Sequence, residues 1–204
     1  MTAPQYSFKN MVSDLKCDLE RYNKYCGYEQ STLFNNIATL FKCPVFLSIV
    51  NYRFGFWKGG QSRPTRCFCN MLHVMGTYLS IIFFKVYIEC DSKIGAGLFL
   101  SRKGNIIIGV KMMGKNCSVF DRTTIGQGLG KGQDNLPEIG DNVCIDSGSI
   151  VYGRIKVGSS VKVNAFTVLG RPQARTHGLQ SRTGRLRPCR AMWSRRGGWA
   201  TPHS

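Results

Sequence analysis

From Ile139 onward every sixth residue is aliphatic: Ile139, Ile145, Val151, Val157, Val163 and Leu169. The spacing recurs upstream as Ile107, Met113, Val119 and Ile125, and Ile94, Leu100 and Ile106 begin a first set one residue out of phase. A helix places its apolar positions three and four apart, and a half-buried strand places them two apart. Six fits neither. It is the period of a parallel β-helix, in which each hexad supplies a short strand and a turn, one aliphatic points to the axis, and a small residue takes the corner. "IGDNVC", "VGSSVK" and "IGQGLG" carry that small residue. Stacked coils would bury a continuous aliphatic column, so each repeat is stabilised by its neighbours. Between Ile125 and Ile139 the spacing widens to 14, and the excess falls in the Gly-rich "GQGLGKGQDNLP". This segment is expected to leave the coil as a loop, a common place for function on a rigid scaffold.

Ahead of the repeat the period changes. "NMVSDLKCDLERY" sets Met11, Val12, Leu15, Leu19 and Tyr22 at helical spacing with charges opposite, and "TLFNNIATLF" continues the theme. Breaks are expected at "CP" (43–44) and "KGGQSRP" (58–64). "MLHVMGTYLSIIFFKVYI" (71–88) is long enough to span a bilayer, but His73, Gly76 and Lys85 interrupt it, so a buried helix without stable membrane insertion is expected. The fold class that results is α+β: an N-terminal helical cap (1–88), a left-handed parallel β-helix (89–169) and a disordered C-terminal tail (170–204).

Composition sharpens the last boundary. The net charge of +17 would suggest a polyanionic partner. Residues 170–204, however, hold eight Arg and no Lys, Asp or Glu, and lack Ile, Val, Phe, Tyr and Asn entirely. Such a segment cannot build a core. It is either a basic arm for a polyanion or a non-native, out-of-frame C-terminus; the scattered Trp and Cys favour the second, and no nucleic-acid partner is expected. Nine cysteines without a CxxC pair predict reduced, mostly buried thiols. Residues 1–13 are mixed and polar, unlike a secretory leader, so a cytoplasmic location is expected.

The stretches "KIGAGLFLSRKGNIIIG" and "TTIGQGLGKGQDNLPEIGDNVCIDSGSIVYGRIKVGSSVKVNAFTVL", and more weakly "YRFGFW" at 52–57, resemble the serine O-acetyltransferase family of hexapeptide-repeat acyltransferases. The resemblance covers residues 86–169 well, the helical part loosely and the tail not at all. It implies acetyl transfer from acetyl-CoA to a serine or sugar hydroxyl, a role in cysteine biosynthesis, and a homotrimer with sites between subunits. No metal is implied. Family members use a histidine base, because an alcohol is a poor nucleophile at neutral pH and a base with a pKa near 7 contributes about 10² to 10⁴ in rate.

Aligned on this family, the first histidine falls at Arg102, or at Ser101 if one residue is deleted. The loop histidine falls at Leu136, and the carboxylate that orients the base at Tyr87, with Glu89 nearby but out of register. All are substituted, and a guanidinium cannot give up its proton in a protein. Asp121 is the candidate replacement base. His73, in the cap, reads as a packed or surface histidine rather than a relocated base. The resemblance further implies CoA contacts at Gly126, Gly128, Gly130, Lys131, Ser147 and Ala165, and acceptor binding at Asp134 and Asn135, where Asn replaces the Arg expected to hold the substrate carboxylate. Two functions stay open: an O-acetyltransferase with an altered base, or a catalytically silent CoA-binding homologue, the product of a decayed or frameshifted gene. No complex with the cysteine-forming sulfhydrylase is expected, because the family's C-terminal isoleucine is replaced by Pro202-His203-Ser204.

Overall fold

A computed structural model of the chain describes residues 6–28, 32–58, 63–128 and 135–170, together with the two residues 187–188. Four helices come first: α1 (Phe8–Tyr25), α2 (Leu33–Lys42), α3 (Phe46–Lys58) and α4 (Arg63–Leu79), the last continuing into a π-helical turn at Ser80–Phe84. Strands then recur in threes around a triangular solenoid. The first face stacks β1 (Val86–Ile88), β4 (Ile106–Ile108), β7 (Thr124–Gly126), β10 (Ile150–Tyr152) and β13 (Val168–Gly170). The second stacks β2 (Lys93–Ile94), β5 (Met112–Met113), β8 (Glu138–Ile139) and β11 (Lys156–Val157). The third stacks β3 (Phe99–Leu100), β6 (Ser118–Val119), β9 (Cys144–Ile145) and β12 (Val161–Val163), all parallel. Helices followed by a left-handed parallel β-helix are the expected class. The coil begins at Val86, inside the span read from sequence as cap.

Three aliphatic columns form the axis. Ile88, Ile108, Ile125, Val151 and Leu169 are in register on the first face. Ile94, Met113, Ile139 and Val157 follow on the second, and Leu100, Val119, Ile145 and Val163 on the third. Each such side chain, withdrawn from water, contributes about 1.5–3 kcal/mol. The sixfold pattern is thus the core, with one correction of phase. Ile107 points outward and is 48% exposed, while Ile106 and Ile108 on either side are fully buried. The cause is two uneven steps: the corner 101–105 has two residues more than its neighbour above, so the step from Leu100 to Ile108 is eight, and the next step, from Ile108 to Met113, is five rather than six.

The cap is fastened to the first coils by polar side chains. Asp18 and Arg53 are both buried; Arg53 Nε donates to Asp18 Oδ2 at 3.1 Å, and its other nitrogens donate to the carbonyls of Ile94 and Gly95. Asp18 Oδ1 accepts the backbone N–H groups of Gly97 and Leu98, both at 2.7 Å. Burial pushes the Asp18 carboxyl above its usual range, and Arg53 with the two N–H groups pulls against that. Tyr22 Oη donates to the Leu100 carbonyl and accepts its N–H, each at 2.9 Å.

Two expectations fail here. The helix from Thr65 to Phe84, long and apolar enough to cross a membrane by length and composition, is only 11% buried, so it is not a buried helix. Its packed positions are the polar ones, His73 and Ser80, while Phe68, Met71, Met75, Tyr78, Ile82 and Phe83 are exposed. Hydrophobic content reports what a helix could bury, and does not report whether a neighbour is there to cover it. Nor are the cysteines mostly buried. Of the eight described, only Cys43 and Cys117 are buried, whereas Cys17, Cys67 and Cys90 are exposed. Of the tail, only Gly170, the last residue of β13, and β14 (Arg187–Pro188), which pairs antiparallel with β12, are among the described residues.

Candidate functional site

The corners between the third and first faces stack into one edge of the solenoid. The first-coil corner, 101–105, carries Arg102; above it lie Asp121, then Ser147, then Ala165, linked by Arg122 N–H to the Gly104 carbonyl, Gly148 N–H to Asp121 and Phe166 N–H to Ser147. Four residues singled out in the sequence are therefore brought to one edge. The widened corner depends on Gly104, at φ +66°, where a Cβ would stand 1.9 Å from the Phe84 carbonyl oxygen. No other side chain fits between this corner and the end of the π turn.

Arg102 is exposed, and its guanidinium lies over the Tyr25 ring, 5.7 Å from the centroid. This is a cation–π contact, with the charge held toward the cap. Asp121 is 9% exposed; Ser147 Oγ donates to its Oδ1 at 2.9 Å, and Arg122 Nε lies 3.6 Å from its Oδ2. Its acceptor capacity is thus partly used, but both partners lie at the surface edge and one lone-pair direction on each oxygen remains.

Gly126 and Gly128 lie at the opposite edge of the first face, so the residues expected to hold CoA divide between two edges flanking one sheet. A Cβ on Gly126 would meet open space, whereas on Gly128 it would approach the Gly153 Cα to 2.8 Å. The outer surface between those edges carries Tyr87, Ile107, Ile150 and Val168, each 41–49% exposed. Tyr87 therefore points out from this sheet, and burial, with Glu89 beside it, pushes its hydroxyl above the usual range.

The Gly-rich loop closes at its base, where Gly128 N–H donates to the Asn135 carbonyl at 3.3 Å. Gly130, Lys131 and Asp134 lie outside the described residues. Asn135 is half-buried, and Leu136 is buried, 7% exposed. Among the described residues no group of three His, Cys, Asp or Glu side chains could hold a metal ion.

His73 is the one site that sequence reasoning set aside. It is 5% exposed; its Nδ1 lies 3.1 Å from the Asn51 carbonyl oxygen and its Nε2 lies 2.9 Å from Cys90 Sγ. The available signal was Gly55, inside α3 in "YRFGFW", whose missing side chain makes room for the imidazole: a Cβ there would be 2.3 Å from the ring.

No family model matches the chain. A serine acetyltransferase of Synechococcus elongatus is 25% identical over 164 residues, covering 79% of this chain and 61% of that protein. The Escherichia coli serine acetyltransferase is 32% identical over 129 residues, covering 62% and 45%, and that of Staphylococcus epidermidis is 36% identical over 101 residues, covering 47% and 45%. The chain is similar in sequence to these serine acetyltransferases. It spans about half to three fifths of the length of these relatives. Solved serine acetyltransferases share the fold: the Neisseria gonorrhoeae protein in complex with serine superposes with a TM-score of 0.60 at 22% identity, over 78% of this chain and 62% of that one. A complex with CoA gives 0.61 at 21% identity (80% and 64%), and a complex with cysteine gives 0.64 at 21% (82% and 66%).

Proposed function

We propose that this chain binds acetyl-CoA on a serine-acetyltransferase scaffold and transfers acetyl to a small hydroxyl acceptor, serine or a sugar, at a rate far below an ordinary enzyme's. The observation that carries this is the first-coil corner. Where the related enzymes are aligned with a histidine, Arg102 stacks on Tyr25 and offers no proton acceptor. Relatives named as serine acetyltransferases, and neighbours titled as complexes with CoA and with serine, support the donor and the acceptor class. The apolar outer surface of the first face supports a homotrimer, since a solenoid of flat sides associates through such faces. Asp121, on the same edge, is the group placed to take a proton in place of imidazole.

A silent CoA-binding homologue is the second reading, and the burial of Leu136 favours it, because neither histidine position then presents a proton acceptor. Calorimetric titration with CoA, beside release of free thiol from acetyl-CoA with serine present, tests both. Binding with turnover depressed about 10² to 10⁴ is expected, and Asp121→Asn should remove what remains. Turnover of 1 to 10³ per second would refute the lost-base reading, and absence of CoA binding would refute the scaffold reading.

A further inference from the structure

At the seam between cap and coil, three elements bring a thiol, an imidazole and a carbonyl into line. Cys90 follows β1 at the first corner, His73 is on α4, and the Asn51 carbonyl belongs to α3. A carbonyl oxygen only accepts, so Nδ1 carries the proton and Nε2 presents its lone pair to the thiol. The imidazole is held by burial and by Gly55, while Cys90 is open to solvent. The same imidazole lines a small cavity with Ser48, Asn51, Thr77 and Ser80. There Ser48 Oγ, in a residue 4% exposed, has no hydrogen-bond partner among the described residues.

We propose that Cys90 and His73 form a nucleophile and base pair that accepts an acyl group from a thioester. An exposed nucleophile, a buried base at hydrogen-bond distance and a third group fixing the tautomer are the parts such a step needs. Sγ attacks the thioester carbonyl carbon as its proton passes to Nε2. The tetrahedral adduct collapses with cleavage of the bond to the departing sulfur, which takes the proton back from the imidazolium. One thioester is exchanged for another, so no oxidant or reductant is required.

The groups facing the pair are Lys58 of α3, Glu89 and Asp91 on either side of Cys90, and Tyr87 and Tyr52. Burial pushes the thiol up and, with Lys58, the imidazole down. At neutral pH the pair therefore rests uncharged, and the thiol reacts by base assistance rather than as a standing thiolate.

The choice of thioester rests on the acetyl-CoA reading above, and the test separates the two. The full chain is incubated with acetyl-CoA, or with the acetyl thioester of N-acetylcysteamine, which lacks the nucleotide, and acetylation of each cysteine is followed by peptide mass spectrometry. Cys90 should be acetylated at least tenfold faster at pH 7 than the exposed Cys17 and Cys67 with both reagents, and His73→Gln should erase the excess. Excess labelling by the short thioester alone would uphold the pair and sink the CoA reading. Equal labelling of the three cysteines by both reagents would overturn the pair. Should His73→Gln not fold, the wild-type pH profile decides. A base-assisted rate levels off above the imidazole pKa, whereas a rate still rising tenfold per unit from pH 7 to 9 belongs to a free thiolate and overturns the proposal.

Discussion

At Leu136 a histidine would have to enter a space that is 7% exposed. Leu136→His should therefore cost about 2–4 kcal/mol in urea unfolding, the sum of lost packing and a poorly paired polar ring. Arg102→His, at an exposed corner, should change stability by less than about 0.5 kcal/mol and recover acetyl transfer only in part, since the carboxylate that would orient the new imidazole is replaced by Tyr87. Rates of thiol release for the two variants, each beside its unfolding curve, check this. His73 makes a prediction of pH. Its folded pKa lies below its unfolded value, so the folded state binds fewer protons in that range. Stability is whole above the unfolded pKa, about 6.5, and is lost as pH falls through it toward the folded pKa. The Tm of the wild type should drop between pH 7 and 5 by more than that of His73→Gln.

The elements differ in how far their contacts can be read from order along the chain. The strands were legible because a solenoid repeats in sequence what it repeats in space, and Ile139 through Leu169 keep one phase to the end. Ile107 was misplaced because the step from Ile108 to Met113 is five rather than six, so a hexad counted back from Met113 lands one residue short of Ile108, the residue in register with Ile125. Asp18 falls on the apolar face of α1, three past Leu15 and four before Tyr22, but nothing in the helical period names Arg53 as its partner, since a buried ion pair is chosen by what lies opposite in space. Arg53→Met should destabilise by about 3–5 kcal/mol, because it strands the Asp18 carboxylate in the interior; chemical denaturation measures it. The α4 helix behaves in the opposite way. Met71 and Met75 are 62% and 56% exposed, so Met71→Lys with Met75→Lys should leave the unfolding midpoint of the isolated chain within about 0.5 kcal/mol of the original. A large loss would mean that another copy covers this face during the measurement. Of the candidate site, the edge carrying Arg102, Asp121, Ser147 and Ala165 was foreseeable from hexad position, whereas the pairing of His73 with Cys90 required the cap to be docked.

For the molecule as a whole, the columns end at Leu169, and the described chain beyond Gly170 is one two-residue strand on the edge of β12. Removing residues 171–204 should keep cooperative unfolding and lower solubility, because it uncovers the unpaired edge of β12; calorimetry and sedimentation of the shortened chain read the two effects separately. The staggered coils have a mechanical consequence. Leu169 lies 18 residues past its partner Val151, Val151 lies 26 past Ile125, and Ile125 lies 17 past Ile108. A chain drawn out from its C-terminal end in an optical trap would come off the stack one turn at a time. At about 3.6 Å per extended residue, it would lengthen by roughly 65, then 94, then 61 Å. The long middle step would be the signature of the Gly-rich loop paying out, and one undivided rip would mean that the turns let go together.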